Sequence, residues 1–401
     1  MACKKSIERL KKRLNFKNKL SLLFKLYKYF NSRKISNYFK TKYSKNALLS
    51  YITYPFVKEQ NLSHTNYFEA ISHAKILNEL GFNVDIIDYD YDRNVDFSKY
   101  RVLVGFGEQF TNYFNSGFTH MKTIYYGTGM HVCHQNNATL KRLKQVYQKK
   151  GIWLTKSTRY VEKTWTYQTM LVDAIIALGN DICKESYAKY YNGPIFIIPA
   201  PFYKVLDGYE ILSKKTKNSA KGFLWFGGAG LIHKGLDLVL EYFIEHPELT
   251  LHICGPIKNE PDFEKLYYKE LYQTPNIITH GFIDISSEHF KQILEECAFI
   301  IFASCSEGGG ASVITAIGNG ALIPIITKET TISTNFEVWI EDFTVEEIEK
   351  AVNKALSFSE DAIIEMQKAN LEYVLENHSQ TNYYKELKKA YIGILGYKDD
   401  L

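Results

Sequence analysis

The sequence contains no run of about 18 consecutive apolar residues, so it predicts no helix that crosses a membrane. Its first residues also lack the uninterrupted apolar segment and small-residue cleavage site of a secretory signal. Only six of the 401 residues are Cys, and no two of them form a Cys-x-x-Cys pair. This use of cysteine predicts a reduced, cytoplasmic protein without a disulfide framework or a zinc ribbon. Nine Pro and 24 Gly exclude the collagen-like and low-complexity classes.

The composition is that of an ordinary globular protein, with 45% hydrophobic and 23% charged residues. A chain of this length buries a sizeable core and usually divides into two or three domains. Its charge is distributed unevenly. Residues 1–46 contain 15 basic residues and one acidic residue, whereas the remainder contains 34 basic and 43 acidic residues. A mildly acidic body therefore follows a strongly basic leader.

The basic leader, residues 1–46, has the pattern of an amphipathic helix. Apolar side chains recur at helical spacing between Ile7 and Phe30, with Lys and Arg between them. This pattern favours a helix lying on an anionic membrane. We therefore expect a cytoplasmic protein that is peripheral on the inner face of the membrane. The alternatives are a basic helix packed on the protein or frayed in solution, and a nucleic-acid contact, which the acidic body disfavours.

Apolar strands alternate with helices through the rest of the chain, which predicts parallel sheets with both faces buried. The first half has predicted strands at 47–54, 82–90, 101–107, 123–127, 173–179 and 194–200. The second half has them at 222–228, 249–255, 276–281, 298–305 and 321–328. A polar, Lys-rich segment at 204–222 is interpreted as a linker. We expect two doubly wound domains, 47–200 and 201–375, which face a ligand cleft at the carboxyl ends of their strands.

The strongest candidate site is the run Ser-Cys-Ser-Glu-Gly-Gly-Gly-Ala-Ser from Ser304 to Ser312. A buried strand leads into Glu307 and three consecutive glycines, and a helix follows. Glycines let a ligand approach the main chain, and the N-terminus of a helix offers N–H groups suited to phosphate. Because a carboxylate accepts hydrogen bonds from hydroxyls, the run predicts a sugar nucleotide as ligand. The alternative is an ordinary strand-to-helix turn with a capping Glu.

A second glycine-rich loop, from Gly227 to Gly235, also lies between a predicted strand and a helix. Lys234 stands near its end, where an ammonium group can neutralise a diphosphate. The loop has neither the order of the dinucleotide fingerprint nor that of the P-loop. Taken alone it is a weak indication of phosphate binding, and the presence of Glu307 in the same half of the chain strengthens it.

Together these motifs resemble the nucleotide-sugar-dependent glycosyltransferases of the GT-B fold, in particular the retaining family 4 of group 1. The shared features are the GG-x-G-x3-KG-x-D run at 227–237, Cys-Gly-Pro at 254–256, His-Gly-Phe-Ile-Asp at 280–284, and the stretch from SCSEG at 304–308 to GALIP at 320–324. The resemblance implies transfer of a sugar from a nucleoside diphosphate to a hydroxyl of a glycan or lipid-linked acceptor, with retention, in polysaccharide or glycolipid synthesis. It also implies that the last helix, 376–401, returns to the first domain.

The same resemblance implies roles for individual residues. Lys234 would neutralise the donor diphosphate without a metal ion or other cofactor, and Glu307 would contact hydroxyls of the donor sugar. The remaining donor-binding residues would be Gly228, Gly230, Gly308, Gly309, Gly310 and Thr315. Thr315 stands where the family usually has a second Glu that binds ribose, and a hydroxyl binds more weakly than a carboxylate. Ala229 stands where many members have an Arg beside the diphosphate. A non-catalytic sugar-nucleotide-binding subunit is therefore an alternative, as is a sugar-nucleotide epimerase of the same architecture.

The N-terminal half offers fewer indications. His131 follows a strand at the cleft-facing end, where members of the family often place a His, and it is the candidate catalytic residue there, with His134 second. The alternative is a solvated loop histidine. Arg142 and Arg159 would meet an anionic acceptor or coat the surface. Residues 88–92 contain the Asp-x-Asp pattern that binds a metal ion in the other glycosyltransferase fold. We interpret them as a solvated strand end and predict no metal site, with metal binding as the alternative.

Overall fold

Two largely parallel sheets, each covered by helices, make up the computed structural model, which describes residues 34–59, 62–163 and 167–397. The α/β fold with two Rossmann-like domains that the sequence predicted is confirmed. Within these residues no helix has the length and apolar composition needed to cross a membrane.

The first sheet has seven strands in the order β1-β3-β2-β4-β5-β6-β7. They are β1 Lys34–Ile35, β2 Lys45–Tyr51, β3 Phe82–Asp88, β4 Val102–Gly105, β5 Lys122–Gly127, β6 Ala174–Leu178 and β7 Ile195–Ile198. All neighbours are parallel except β1, which runs antiparallel to β3. The chain thus enters the first domain at one edge of the sheet.

The second sheet has six strands in the order β10-β9-β8-β11-β12-β13, all parallel. They are β8 Gly222–Phe226, β9 Thr250–Cys254, β10 Ile277–Gly281, β11 Phe299–Phe302, β12 Ile323–Ile326 and β13 Val338–Trp339. Most of these strands are apolar and buried along their length, because helices cover both faces of the sheet.

Helices connect the strands and pack on both faces of the sheets. They are α1 Asn66–Glu79, α2 Glu108–Asn115, α3 Val132–Lys150, α4 Gln168–Leu171, α5 Asp181–Ala188, α6 Gly208–Lys214, α7 Leu236–Phe243, α8 Pro261–Leu266, α9 Tyr268–Tyr272, α10 Glu288–Glu296, α11 Ala311–Gly320, α12 Val345–Leu356, α13 Glu360–Asn377 and α14 Gln380–Leu395. Local sequence sets several starts: Thr344, Ser359 and Ser379 each accept an N–H bond as N-caps.

The chain passes back to the first domain between α13 and α14. Helix α13 packs on α11 and β12 of the second domain. At the crossing, Nδ1 of the buried His378 lies 2.9 Å from the Ala200 carbonyl oxygen. Helix α14 then packs on α1, where the Tyr391 hydroxyl lies 2.6 Å from Nδ1 of His73. The last helix therefore ties the two domains together.

Two segments differ from their predicted conformation. The described end of the basic leader, residues 34–46, is not helical, because it pairs with β3 and enters β2. Asn37 and Lys40 have φ of 42° and 54° there, which no right-handed helix allows. The rest of the predicted leader lies outside the described residues. The predicted linker at 204–222 contains helix α6, which packs on α11 and α13.

Candidate active site

A cleft of about 1050 Å³ lies between the two sheets. Residues at the carboxyl ends of β2, β3, β5, β6 and β7 in the first sheet, and of β8, β9, β10 and β11 in the second, line it. This is the place where open parallel sheets bind ligands, because the helices that follow the strands begin there. Lining residues from both domains make the cleft a shared site.

Lys234 and Glu307 form an ion pair on the wall of this cleft. Their side chains are 7% and 11% exposed. The Ser304 hydroxyl donates to the same carboxylate at 2.8 Å, and a guanidinium nitrogen of Arg159 lies 3.5 Å from it. Within the described part of the chain, all of these polar contacts are made at Oε1 of Glu307. Oε2 is therefore available to accept a hydrogen bond from a ligand.

The surrounding charges keep Glu307 ionised. Burial raises its pKa, but the positive charges of Lys234 and Arg159 outweigh burial and lower it to about 2. Burial also lowers the pKa of Lys234, and the Glu307 carboxylate opposes that shift. With Arg159 included, the cluster holds two cations and one anion. Its net charge is positive, which suits a phosphate-bearing ligand.

The neighbouring His233 is a structural link between the domains. It is fully buried, and burial, reinforced by the charge of Arg159, lowers its pKa to about 3. The ring is therefore neutral. Nε2–H donates to the Ser306 carbonyl, and Nδ1 accepts a bond from the Thr139 hydroxyl of α3 at 2.8 Å. This bond orients the loop that carries Lys234.

The N-terminus of α11 opens on the cleft. Gly308, Ala311, Ser312 and Thr315 line it, and the first N–H groups of a helix lack partners within the helix. The Thr315 hydroxyl donates to the Ala311 carbonyl at 2.7 Å, so its remaining capacity is to accept hydrogen bonds. The predicted residues Gly228, Lys234, Glu307, Gly308 and Thr315 are thus brought together in one cleft.

Three predicted donor-binding glycines are not among the described residues that line the cleft. The Gly309 N–H donates to the Thr331 hydroxyl at 2.7 Å, and Gly310 has φ of +44° at the turn before α11. The Gly230 N–H donates to the buried carboxylate of Glu260. We therefore correct the expectation for these three positions: the Gly230 and Gly309 amides bind internal acceptors, and Gly310 shapes the turn before α11.

His131 is also placed differently from the prediction. It is 1% exposed, accepts the Cys133 N–H at Nδ1, and lies 2.9 Å through Nε2 from the Thr169 hydroxyl. Its ring stacks on Tyr190 at 4.3 Å. The cleft lining includes neither His131 nor His134 among the described residues. The expected catalytic role of His131 is corrected to an N-cap of α3, since its ring holds the first turn.

The two arginines and the Asp-x-Asp segment have distinct positions. Arg142 is buried and pairs with Asp237 of the second domain at 2.6 Å, so it does not coat the surface. Arg159 lines the cleft. Asp88 accepts bonds from the main-chain N–H and the hydroxyl of Thr53. Among the described residues no group of three or more His, Cys, Asp or Glu side chains could hold a metal ion.

A buried carboxylate on the N-terminal wall of the cleft was not predicted from the sequence. Glu69 is 2% exposed and accepts hydrogen bonds from Thr65 at 2.7 Å, Tyr126 at 2.9 Å and Tyr51 at 3.2 Å. An acidic residue in the first turn of a helix ordinarily indicates a favourable interaction with the helix dipole. The structure shows instead that hydroxyls from three separate parts of the chain converge on Glu69, which is buried beside the cleft.

This chain resembles a known protein family in part of its sequence and known structures in its fold. Residues 209–370 match the family model for glycosyl transferases group 1. This part of the chain is therefore similar to the group 1 glycosyltransferase domain. The resemblance to group 1 glycosyltransferases is therefore confirmed for the part of the chain that carries the Lys234–Glu307 pair. No curated protein matches the chain in sequence.

Several solved structures share the fold of most of this chain. Sucrose-phosphate synthase from Thermosynechococcus elongatus is 12% identical with a TM-score of 0.59, over 88% of this chain and 100% of that one. HepE from Anabaena, in complex with UDP-glucose, is 10% identical with a TM-score of 0.56, over 87% and 99%. An α,α-trehalose-phosphate synthase from Burkholderia vietnamiensis is 8% identical with a TM-score of 0.54, over 90% and 98%. Because these identities are low, the similarity shows the GT-B fold and no more.

Proposed function

We propose that this group 1 glycosyltransferase transfers a hexose from a nucleoside diphosphate sugar to a hydroxyl of a glycan or lipid-linked acceptor, with retention at the anomeric carbon. The observation that carries the proposal is the Lys234–Glu307 pair beside the N-terminus of α11, in a cleft shared by two domains. The UDP-glucose complex of HepE, which has the same fold, supports a nucleotide sugar as the ligand class.

In this proposal the two ends of the donor meet different groups. Lys234 and the N–H groups at the start of α11 stabilise the diphosphate as it leaves, so that charge developing on the leaving group meets fixed positive groups. These groups take the place of a divalent metal. Glu307, ionised with a pKa of about 2, accepts hydrogen bonds from sugar hydroxyls at Oε2 and holds the anomeric carbon in position.

The N-terminal wall of the cleft would bind the acceptor. It presents the imidazole of His64 and the amide of Asn66 beside the Glu69 carboxylate. Such groups form hydrogen bonds with the hydroxyls of a saccharide. The same wall lies opposite the donor loops, so an acceptor hydroxyl bound there would face the anomeric carbon.

The test is turnover of Glu307→Gln and Lys234→Met, measured with a panel of nucleoside diphosphate sugars and oligosaccharide or lipid-linked acceptors. Each variant should lose at least about 100-fold in kcat, as expected when a group that stabilises transition-state charge is removed. Nuclear magnetic resonance of the product should show the anomeric configuration of the donor, and EDTA should leave the rate unchanged.

A matched control is the exposed pair Lys328–Glu341, at 3.2 Å with both side chains more than half exposed. Lys328→Met and Glu341→Gln make the same chemical changes away from the cleft and should turn over like the wild type. Full activity of both cleft variants would contradict the site. Nucleotide binding with neither transfer nor donor hydrolysis would instead indicate a non-catalytic subunit, and an epimerised labelled donor would indicate an epimerase.

We further propose that the basic leader binds the inner, anionic face of the membrane, where polysaccharide or glycolipid synthesis would supply the acceptor. Each basic residue near an anionic surface contributes about 1 kcal/mol. Lys11→Glu with Lys12→Glu should therefore weaken binding to phosphatidylserine-containing vesicles by about 30-fold or more. The control is Lys354→Glu with Lys368→Glu, two exposed positions in the second domain. Equal vesicle binding by both double variants would contradict the proposal.

A further inference from the structure

Arg159 extends from the first domain across the donor loop of the second. Its aliphatic chain lies over Gly230, where an added Cβ would be 2.9 Å from Arg159 Cδ. Its guanidinium lies in the cleft beside the Lys234–Glu307 pair, with Nη1 3.5 Å from Glu307 Oε1, and the side chain is 40% exposed. The residue thus belongs to one domain and places its charge in the loops of the other.

The segment that carries Arg159 is held in place although it forms no helix or strand between 151 and 163. Asn136 of α3 exchanges two hydrogen bonds with the main chain of Val161, at 2.9 and 3.0 Å. On the other side, the carboxylate of Asp262 accepts the Ser157 hydroxyl at 2.7 Å and the Lys156 N–H at 2.5 Å. These bonds to both domains hold the guanidinium in position before a ligand arrives, which lowers the entropic cost of binding.

The guanidinium lacks a strong acceptor. Nη1 is buried and makes no hydrogen bond within the described part of the chain. Its 3.5 Å approach to Glu307 is longer than the 2.7–2.9 Å of a charge-assisted hydrogen bond. Lys234 already occupies that carboxylate oxygen. A buried donor without an acceptor, in a cluster of net positive charge, matches an incoming anion with several oxygens.

We propose that Arg159 is a second diphosphate-binding cation of the donor site, supplied by the first domain; the proposal rests on the proposed function of the cleft. The planar guanidinium would donate to two phosphate oxygens, while Lys234 would act as a point charge on the same group. Because the two cations come from different domains, the diphosphate would join the domains through the 151–163 segment.

Isothermal titration calorimetry of the full chain tests the proposal. The probes are inorganic pyrophosphate and the tightest binder among uridine, guanosine and adenosine diphosphates. Arg159→Gln should weaken both by about 10- to 100-fold, as expected for the loss of hydrogen bonds to a charged group. Arg159→Lys, which keeps the charge but not the fork, should lie between this variant and the wild type. Arg101→Gln, an exposed arginine before β4, is the matched control and should bind like the wild type.

A second measurement reports the link between domains. Hydrogen exchange of the wild type should slow in residues 151–163 when the diphosphate binds, and this protection should be lost in Arg159→Gln. Equal affinity of Arg159→Gln and wild type for both probes would overturn the inference while leaving the proposed function intact. Absence of binding of any diphosphate by the wild type would overturn the proposed function itself, and this inference with it.

Discussion

Arg142 of the first domain and Asp237 of the second form an ion pair at 2.6 Å, with side chains only 3% and 4% exposed. Burial raises the pKa of Asp237, and the Arg142 guanidinium opposes that shift. Asp237 lies in the first turn of α7, the helix that follows the Lys234 loop, and Arg142 lies on α3, which also contacts His233. The pair therefore sets the position of the donor loop relative to the first domain.

Removing one member of this pair should destabilise the protein strongly. Arg142→Ala leaves a buried carboxylate without its partner, and we expect a loss of about 3–5 kcal/mol in the free energy of unfolding, measured with urea. Lys149→Ala is the control, because Lys149 pairs with Glu241 through a 57% exposed side chain and should lose at most about 1 kcal/mol. Arg142→Met combined with Asp237→Leu should be less destabilised than Arg142→Ala. Similar losses for Arg142→Ala and Lys149→Ala would show that the buried pair is not important for stability.

Gly308→Ala should separate the domains beside the cleft. A Cβ at this position would lie 2.4 Å from the carbonyl oxygen of Thr128, so the contact between the first domain and the Glu307 loop must open. We expect a loss of about 1–3 kcal/mol, typical of overpacking, seen as a lower thermal midpoint. At Gly228 an added Cβ meets nothing within 4 Å, so Gly228→Ala should keep the wild-type midpoint. An unchanged midpoint in Gly308→Ala would contradict this account of the contact.

Thr315→Val should weaken binding of a nucleoside diphosphate modestly and selectively. The Thr315 hydroxyl lines the cleft and can accept a hydrogen bond from a ribose hydroxyl. Its loss should cost about 1 kcal/mol, or about fivefold in Kd. Pyrophosphate, which has no ribose, should bind the variant and the wild type equally. Thr315→Ser retains the hydroxyl and is the control. A parallel loss for pyrophosphate would assign Thr315 to the phosphate instead.

Acid should destabilise the second domain through His252. Burial lowers the pKa of His252 to about 4. Its Nδ1 lies 3.1 Å from Nε2 of His280, and Nδ1 of His280 lies 2.8 Å from Nε2 of His289. The exposed Glu296 contacts the other ring nitrogen of His252. The pKa of His252 in the folded protein lies below the ordinary 6.5, so folding favours the neutral ring. The contribution of the neutral ring to the free energy of unfolding is therefore complete above pH 6.5. It is lost as the pH falls toward 4, by up to about 3 kcal/mol. His252→Gln should have a shallower pH dependence of unfolding between pH 6.5 and 4, and an unchanged slope would contradict the prediction.

The strands and the principal pair could be predicted from the sequence because their signals are local. Runs such as Phe299–Phe302 are apolar throughout, and the loops with Lys234 and Glu307 follow such strands directly. In a parallel sheet the carboxyl ends share one edge, so both loops are expected at the same edge. The positions of Gly230 and Gly309 could not be predicted in the same way. Whether a glycine amide faces a ligand or an internal acceptor depends on groups far away in the chain, here Glu260 and Thr331.

The sequence by itself determined the two-domain α/β fold and the type of chemistry in the second domain, because apolar periodicity and glycine-rich turns act over a few residues. Only the tertiary structure decided which side chains lie in the cleft. Arg159 lies in a segment without periodicity or motif, and His131 has the same local signature as a catalytic loop residue. Their opposite placements, one in the cleft and one buried beneath Tyr190, follow from how α3 packs between the two domains.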